Sequence, residues 1–258
     1  MDFCLRYKSR FKIALVLLLF FPNLVFSLPR EMTIAVGFSL EPYVFSNGNG
    51  IFNELVYEAV KDTPVKVSLV YLSNADAIKA YEAGRYDAVA IVRPGMASGF
   101  YSVPVIQIED KAISLQSSGI LIERVAQLKN YRVLGYSRAA DYIGGEYKQV
   151  SQANAAYREV AHQSEQVRAL YLKEADVVIS NEIIFRYYLK RLRYGSPNNP
   201  GVYYQKYLTA TIFEPVDYHI AFRDKAHQLL FDKGLLRLRQ EKIDQKIINK
   251  YTRLIHRY

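Results

Sequence analysis

Two similar α/β lobes, each a mostly parallel sheet covered by helices, are what this sequence predicts. Strand and helix patterns alternate through residues 32–92, and the same alternation restarts after Lys111. One helix-to-strand passage occurs twice: Ala80-Tyr81-Glu82-Ala83-Gly84-Arg85-Tyr86-Asp87-Ala88-Val89 is echoed by Leu170-Tyr171-Leu172-Lys173-Glu174-Ala175-Asp176-Val177-Val178. Such βα alternation calls for parallel strands with helices packed on their faces.

Met32 to Gly37 is a short apolar strand, and Ile51, Phe52, Leu55, Val56, Ala59 and Val60 recur at helical spacing until Thr63-Pro64 stops them. Val65, Val67, Leu69 and Tyr71 alternate as a strand. Ser73 or Asn74 caps a helix ending at Gly84, and Tyr86 to Val92 is a buried strand. In the second half the spacing predicts a strand at Arg132 to Tyr136, a helix opening near Ser137 and a short strand near Tyr157 to Ala161. A helix at Ser164 to Leu172 and a strand at Asp176 to Ser180 follow. From Asn181 a helix carries Ile184, Tyr188 and Leu189 to the loop at residues 195–201, then come strands near Val202 to Tyr207 and Tyr218 to Phe222. The tail is helical, with Gly234 separating two pieces.

The N-terminus has the form of a secretory signal peptide. Arg6, Lys8, Arg10 and Lys12 precede an apolar run from Ile13 to Phe21, which is short of the ~20 residues that span a bilayer. Cleavage is expected after Ser27; an uncleaved anchor is the alternative, and export follows either way. Removing the leader lowers the formal charge from +9 to about +6 and takes away Cys4, the only cysteine. Disulfides, thiol catalysis and cysteine metal sites are thereby excluded from the mature chain. Its basic residues are spread out, which suits a solvated surface or an acidic ligand and not nucleic acid.

The signatures of the common chemistries are missing. His162, His219, His227 and His256 show no metal-ligand spacing, so no metal is expected. Gly48-Asn49-Gly50 lacks the rest of a dinucleotide loop, and no serine stands in a nucleophile elbow. No catalytic residue and no cofactor are expected. Asp87 and Asp176 fit the ends of buried strands in separate lobes.

Several segments, in order, resemble the amino-acid-type extracellular solute-binding proteins of family 3, the periplasmic binding components of ABC transporters. They are Glu41-Pro42-Tyr43-Val44-Phe45 with Gly50-Ile51-Phe52-Asn53-Glu54-Leu55, then Ala83-Gly84-Arg85-Tyr86-Asp87-Ala88 and Phe100-Tyr101-Ser102-Val103-Pro104. Glu174-Ala175-Asp176-Val177-Val178, Tyr218-His219-Ile220-Ala221-Phe222-Arg223 and the closing helices around Asp232-Lys233-Gly234 complete the set. The resemblance implies a two-lobed periplasmic-binding-protein-like (type II) fold with two mixed sheets joined by two hinge strands, near Asp110 to Ser114 and near Leu208 to Phe213. Lobe 1 would comprise residues 28–110 and 212–258, and lobe 2 residues 111–211. The ligand would lie in the cleft, held by closure of the lobes.

The same resemblance implies site residues. Arg93 stands where an arginine grips the ligand carboxylate, although the segment between Asp87 and Phe100 is shorter than is usual; a surface or lobe-to-lobe salt bridge is the alternative. Ser137 is the ligand-binding hydroxyl at a helix start, with Arg138 adding positive charge; a plain N-cap is its other role. Tyr43, Phe45 and Tyr101 form an aromatic wall or pack in the core. Asn181 occupies the position of the acidic partner for an ammonium, which it cannot neutralise, and Glu182 substitutes for it or complements the helix dipole. The expected protein is a periplasmic monomer that closes on a small acidic or zwitterionic molecule and hands it to an inner-membrane permease or sensor. An enzyme on the same fold, a dehydratase or lyase of a small carboxylate, is the rival, as is a protein with a degenerate cleft that acts by contacts alone.

Overall fold

β1 (Arg30–Gly37) takes up the first apolar run, and Met32, Ile34, Ala35 and Val36 are fully buried in it. The computed structural model describes residues 30–37, 40–195 and 201–256, leaving aside the side chains of Arg30, Leu254 and His256. The expected leader at residues 1–27, the middle of the loop after Gly195 and the His256 ring lie outside the described residues.

The first half follows its sequence pattern closely. α1 (Ile51–Val60) buries the helical stripe, β2 (Val65–Leu72) pairs parallel to β1, and α2 (Asn74–Glu82) starts on Ser73, whose hydroxyl accepts from the Asp76 amide at 3.1 Å. Gly84, just past the helix end, has a positive φ of 82°, as a helix C-terminus asks of glycine. β3 (Ala88–Val92) joins β1 in parallel. The short strands β4 (Phe100–Tyr101) and β5 (Ile106–Ile108), unmarked by any alternation in the sequence, lead to the first crossing.

There β6 (Asp110–Leu115) enters the second sheet. β7 (Val133–Tyr136), β8 (Arg158–Val160), α5 (Gln163–Tyr171), β9 (Val177–Asn181) and α6 (Glu182–Gly195) match the expected second alternation. The helix expected near Ser137 is divided at Gly144 into α3 (Ala139–Ile143) and α4 (Gly145–Ala153). The strand expected near Val202 begins later: residues 202–204 form a 3-10 turn and the strand is β10 (Tyr207–Ala210). β11 (Val216–Phe222) then returns to the first sheet, followed by α7 (Lys225–Gln240) and α8 (Ile243–His256).

The first sheet has the order β2-β1-β3-β11-β4, with β5 also on β11; the second is β10-β6-β9-β7-β8. Each contains three parallel strands plus antiparallel ones, and the antiparallel partner in each is the strand that has just crossed: β11 beside β3, β6 beside β9. β10 pairs with β6 from Tyr207–Leu115 to Ala210–Ala112, so the outgoing and returning chains run side by side. This is a two-lobed α/β fold of the periplasmic-binding-protein type. α8 packs on α1 and α7, and also touches α6 of the second sheet. Among the described residues no helix is long and apolar enough to cross a membrane.

Gly234 does not separate helices. α7 runs unbroken through it, and the chain turns instead at Lys242, whose φ is 55°. A Cβ at Gly234 would lie 1.8 Å from the Ala59 carbonyl oxygen, so the glycine lets α7 and α1 cross at backbone contact. Gly234→Ala gains helix propensity yet should destabilise the protein by about 2 kcal/mol, because backbone must move apart; urea unfolding midpoints check this.

Candidate functional site

The two sheets meet at the ends of β1, β3, β7 and β9, and the space between them is nearly filled by side chains. Its lining includes Asn74, Asp110, Tyr136, Tyr142, Gln163 and Tyr218, backed by Leu40, Ile91, Ile108 and Ile184, and the volume left is about 20 Å³. That admits about one water molecule. Gly37 opens this space to Asn74, whose amide oxygen would stand 1.7 Å from any Cβ there.

Asp110, at the first residue of β6, is the charged centre of the cleft. It is 3 % exposed, and the Tyr136 hydroxyl donates to its Oδ2 at 2.7 Å. Among the described residues no lysine, arginine or histidine forms an ion pair with it. Burial pushes its carboxyl up to about 6, against the pull of the Tyr136 hydrogen bond. The tyrosines around it are stacked at tilted angles, with ring centroids 6.4 Å apart for Tyr136 and Tyr142 and 5.8 Å for Tyr142 and Tyr218. Burial raises all three hydroxyls, that of Tyr142 to about 12, so each is a neutral phenol.

Two contacts span the lobes beside this cavity. Arg93, beyond β3, donates from Nη1 to the Tyr142 carbonyl in α3. On the other side the Tyr188 hydroxyl of α6 donates to the Glu41 carboxylate, and the Phe45 ring meets Tyr187 edge-on at 5.6 Å. Arg93 reaches across because β3 carries a bulge. Val92 lies opposite His219 and Ala90 opposite Ile220, leaving Ile91 as the extra residue, with a φ of 60°. A β-branched side chain rarely takes that conformation, and bulges re-aim the chain beside binding sites.

The remaining expected site residues fall in several places. Tyr43 is 6 % exposed and packs in the core, and burial, helped by the nearby Asp110 charge, raises its hydroxyl to about 12. Phe45 lines a separate groove of about 560 Å³ with Tyr187, Tyr194, Tyr251, Lys190 and Lys250. Tyr101 does not face the cleft: its hydroxyl closes the preceding loop on Ala97, with contacts of 2.5 and 3.0 Å, and its ring stands against His219.

The expected anion site at the start of α3 is filled from within the chain. Glu159 of β8 accepts from the Arg138 amide at 2.6 Å and the Ala140 amide at 3.1 Å, while the Arg138 guanidinium lies 3.4 Å from Asp141. Ser137 sits half-buried in the turn before them. Asn181 is a helix cap: its Oδ1 accepts from the Ile183 and Ile184 amides at 3.0 and 3.4 Å, and its Nδ2 donates to the Glu109 carbonyl. Glu182 pairs with Lys111 at 3.3 Å. Asn181 thus caps α6 and Glu182 is paired with Lys111, while α3 starts on Arg138 with no side-chain cap, so Ser137 does not serve as its N-cap. Asp87 and Asp176 likewise tie strand ends, to Thr33 at 2.8 Å and to Arg132 at 2.6 Å.

Asp110 is not conspicuous in the sequence because it resembles the polar edge of a crossing strand. The available signal is its position, the second acid of Glu109-Asp110-Lys111 just ahead of the apolar pair Ala112-Ile113 at the crossing itself. Tyr136, Tyr142 and Tyr218 are hidden among 22 tyrosines. Nothing local marks those that converge.

No family model matches the chain, and no curated protein shows significant sequence similarity to it. Solved structures share its fold. A histidine kinase sensor domain with similarity to periplasmic binding proteins superposes with a TM-score of 0.70 at 16% identity, covering 87% of this chain and 96% of its own. The ligand-binding core of GluR0 in complex with L-glutamate gives 0.68 at 17%, covering 86% and 98%. An ancestral arginine-binding protein bound to arginine gives 0.68 at 19%, covering 87% and 99%. These likenesses establish the architecture expected from the resemblance.

A carboxyl moved from 3.8 to about 6 opposes folding once ionised, by roughly 3 kcal/mol at neutral pH. Because its folded value is the higher one, the loss of stability sets in as pH rises from about 4 and is complete above about 6. Asp110→Asn should therefore unfold at higher urea than the parent at pH 7.5, and the gap should close at pH 4.

Proposed function

We propose that this is an exported binding protein whose lobes close on a small polar solute, for delivery to an importer or presentation to a sensor. The observation that carries this reading is the lobe interface itself. It buries polar groups at its centre and is latched on two sides by contacts made between lobes, Arg93 to Tyr142 and Tyr188 to Glu41. Burying Asp110 and Gln163 in a structural seam brings no stability that apolar residues would not supply better; in a closing cleft those groups recognise a ligand. The strained Ile91 in the cleft wall points the same way. Export follows from the signal-peptide pattern of residues 6–27, and the amino-acid and arginine complexes among the structural neighbours agree with a small nitrogenous or carboxylic ligand.

A thermal-shift screen of amino acids, carboxylates, amines, sugars and phosphate compounds tests the proposal, since a ligand that binds only the folded state raises the midpoint by mass action. A hit in one class supports it. No response in any class would leave the fold a contact-only role, and a new product in the incubated sample would make the protein an enzyme. Arg93→Ala and Tyr188→Phe should each weaken the ligand found by roughly tenfold, about 1.4 kcal/mol, by removing one latch. Isothermal calorimetry measures both.

A further inference from the structure

We propose that the ligand is a small aliphatic amine without a carboxylate, its ammonium group seated against Asp110 inside the ring of Tyr136, Tyr142 and Tyr218. This rests on the binding-protein reading and names its ligand class.

Asp110 supplies the charge. An ionised carboxylate buried without a cationic partner is costly, and a cation that enters the cavity removes that cost. The three rings supply the surroundings. Neutral phenols present negative π-faces, which attract an ammonium most strongly where water is excluded. The closed cavity of about 20 Å³ holds only a water, so the amine enters with the lobes partly open, and Leu40, Ile91, Ile108 and Ile184 on the same walls then line its short alkyl chain.

A ligand carboxylate has no cationic partner in this cavity: none of its described lining residues is a lysine, arginine or histidine. The Arg93 guanidinium donates to a backbone carbonyl, and the amides at the start of α3 are bonded to Glu159. Asp110 itself would repel a second carboxylate. The groups that face Asp110 are Tyr43, Tyr136, Tyr147 and Tyr218, with Arg93 beyond Tyr218. On the flanks of β6, Lys111 lies against Glu109 and Glu182. With the tyrosines neutral, Asp110 alone of the groups ringing the cavity changes charge near pH 6.

The test is a matched series: n-butylammonium, norvaline, which is the same skeleton with an α-carboxylate, and pentanoate, which keeps the carboxylate and lacks the amine. Calorimetry at pH 7.5 should show n-butylammonium binding at least about tenfold more tightly than norvaline, and pentanoate not at all. Asp110→Asn should lose about thirtyfold or more in affinity for n-butylammonium with no fall in its urea midpoint. Parent affinity should fall as pH drops from 8 to 5 and Asp110 takes up a proton. That titration needs no variant, and an unchanged affinity across it overturns the proposal. Norvaline or pentanoate binding as tightly as the amine would overturn it too, with the binding-protein reading intact. The amine assignment is equally overturned if none of the three binds while a compound of another class does; if nothing binds at all, both fall.

Discussion

Asp110 marks the point where the chain leaves one lobe for the other, and its side chain is buried there. The position follows from the topology. β6 opens on Asp110 and runs hydrogen-bonded beside β10, so the seam between the sheets holds a carboxyl that, among the described residues, is met by the Tyr136 hydroxyl. Everything around the seam answers to that group: the tyrosines pack over it, the bulge at Ile91 brings the first lobe against them, and the two latches hold the lobes together. A carboxyl so placed works against stability, which is the usual sign of a residue kept for another purpose.

The expected anion-binding features are present as elements and engaged as interactions. A helix does start after β7, and an arginine does follow β3, yet each meets a partner supplied by the chain itself. Glu159 stands on the neighbouring parallel strand, where its carboxylate takes the two amides that an external anion would need. Such internal substitution keeps the architecture while occupying the amides and the arginine contact from within the chain. The fold therefore constrains the mechanics more tightly than it constrains the chemistry.

The periodic elements are legible in the sequence because their burial is local. β1, α1, β2, α2 and the β7–α5–β9 run all show in alternation or helical spacing, with Ser73 and Gly84 marking helix ends. What stays hidden depends on distant contacts. Gly234 looks like a break until Ala59 is seen against it; Ile91 has no local reason for a positive φ; Asn181 looks like a ligand group until the two amides behind it are counted. The site is less legible than the fold for the same reason. Asp110, Tyr142 and Tyr218 are brought together only when the chain has crossed between sheets twice.

α8 lies along the first lobe on α1 and α7 while its Tyr251 and Ile255 face the groove beside α6 of the second. A helix gripped by both halves cannot follow both when the angle between them changes. It would have to slide on one surface or the other, and its own axis would turn with any such change of angle. α8 is in that sense placed as a lever: any rotation at the buried seam would become a displacement at the outer surface.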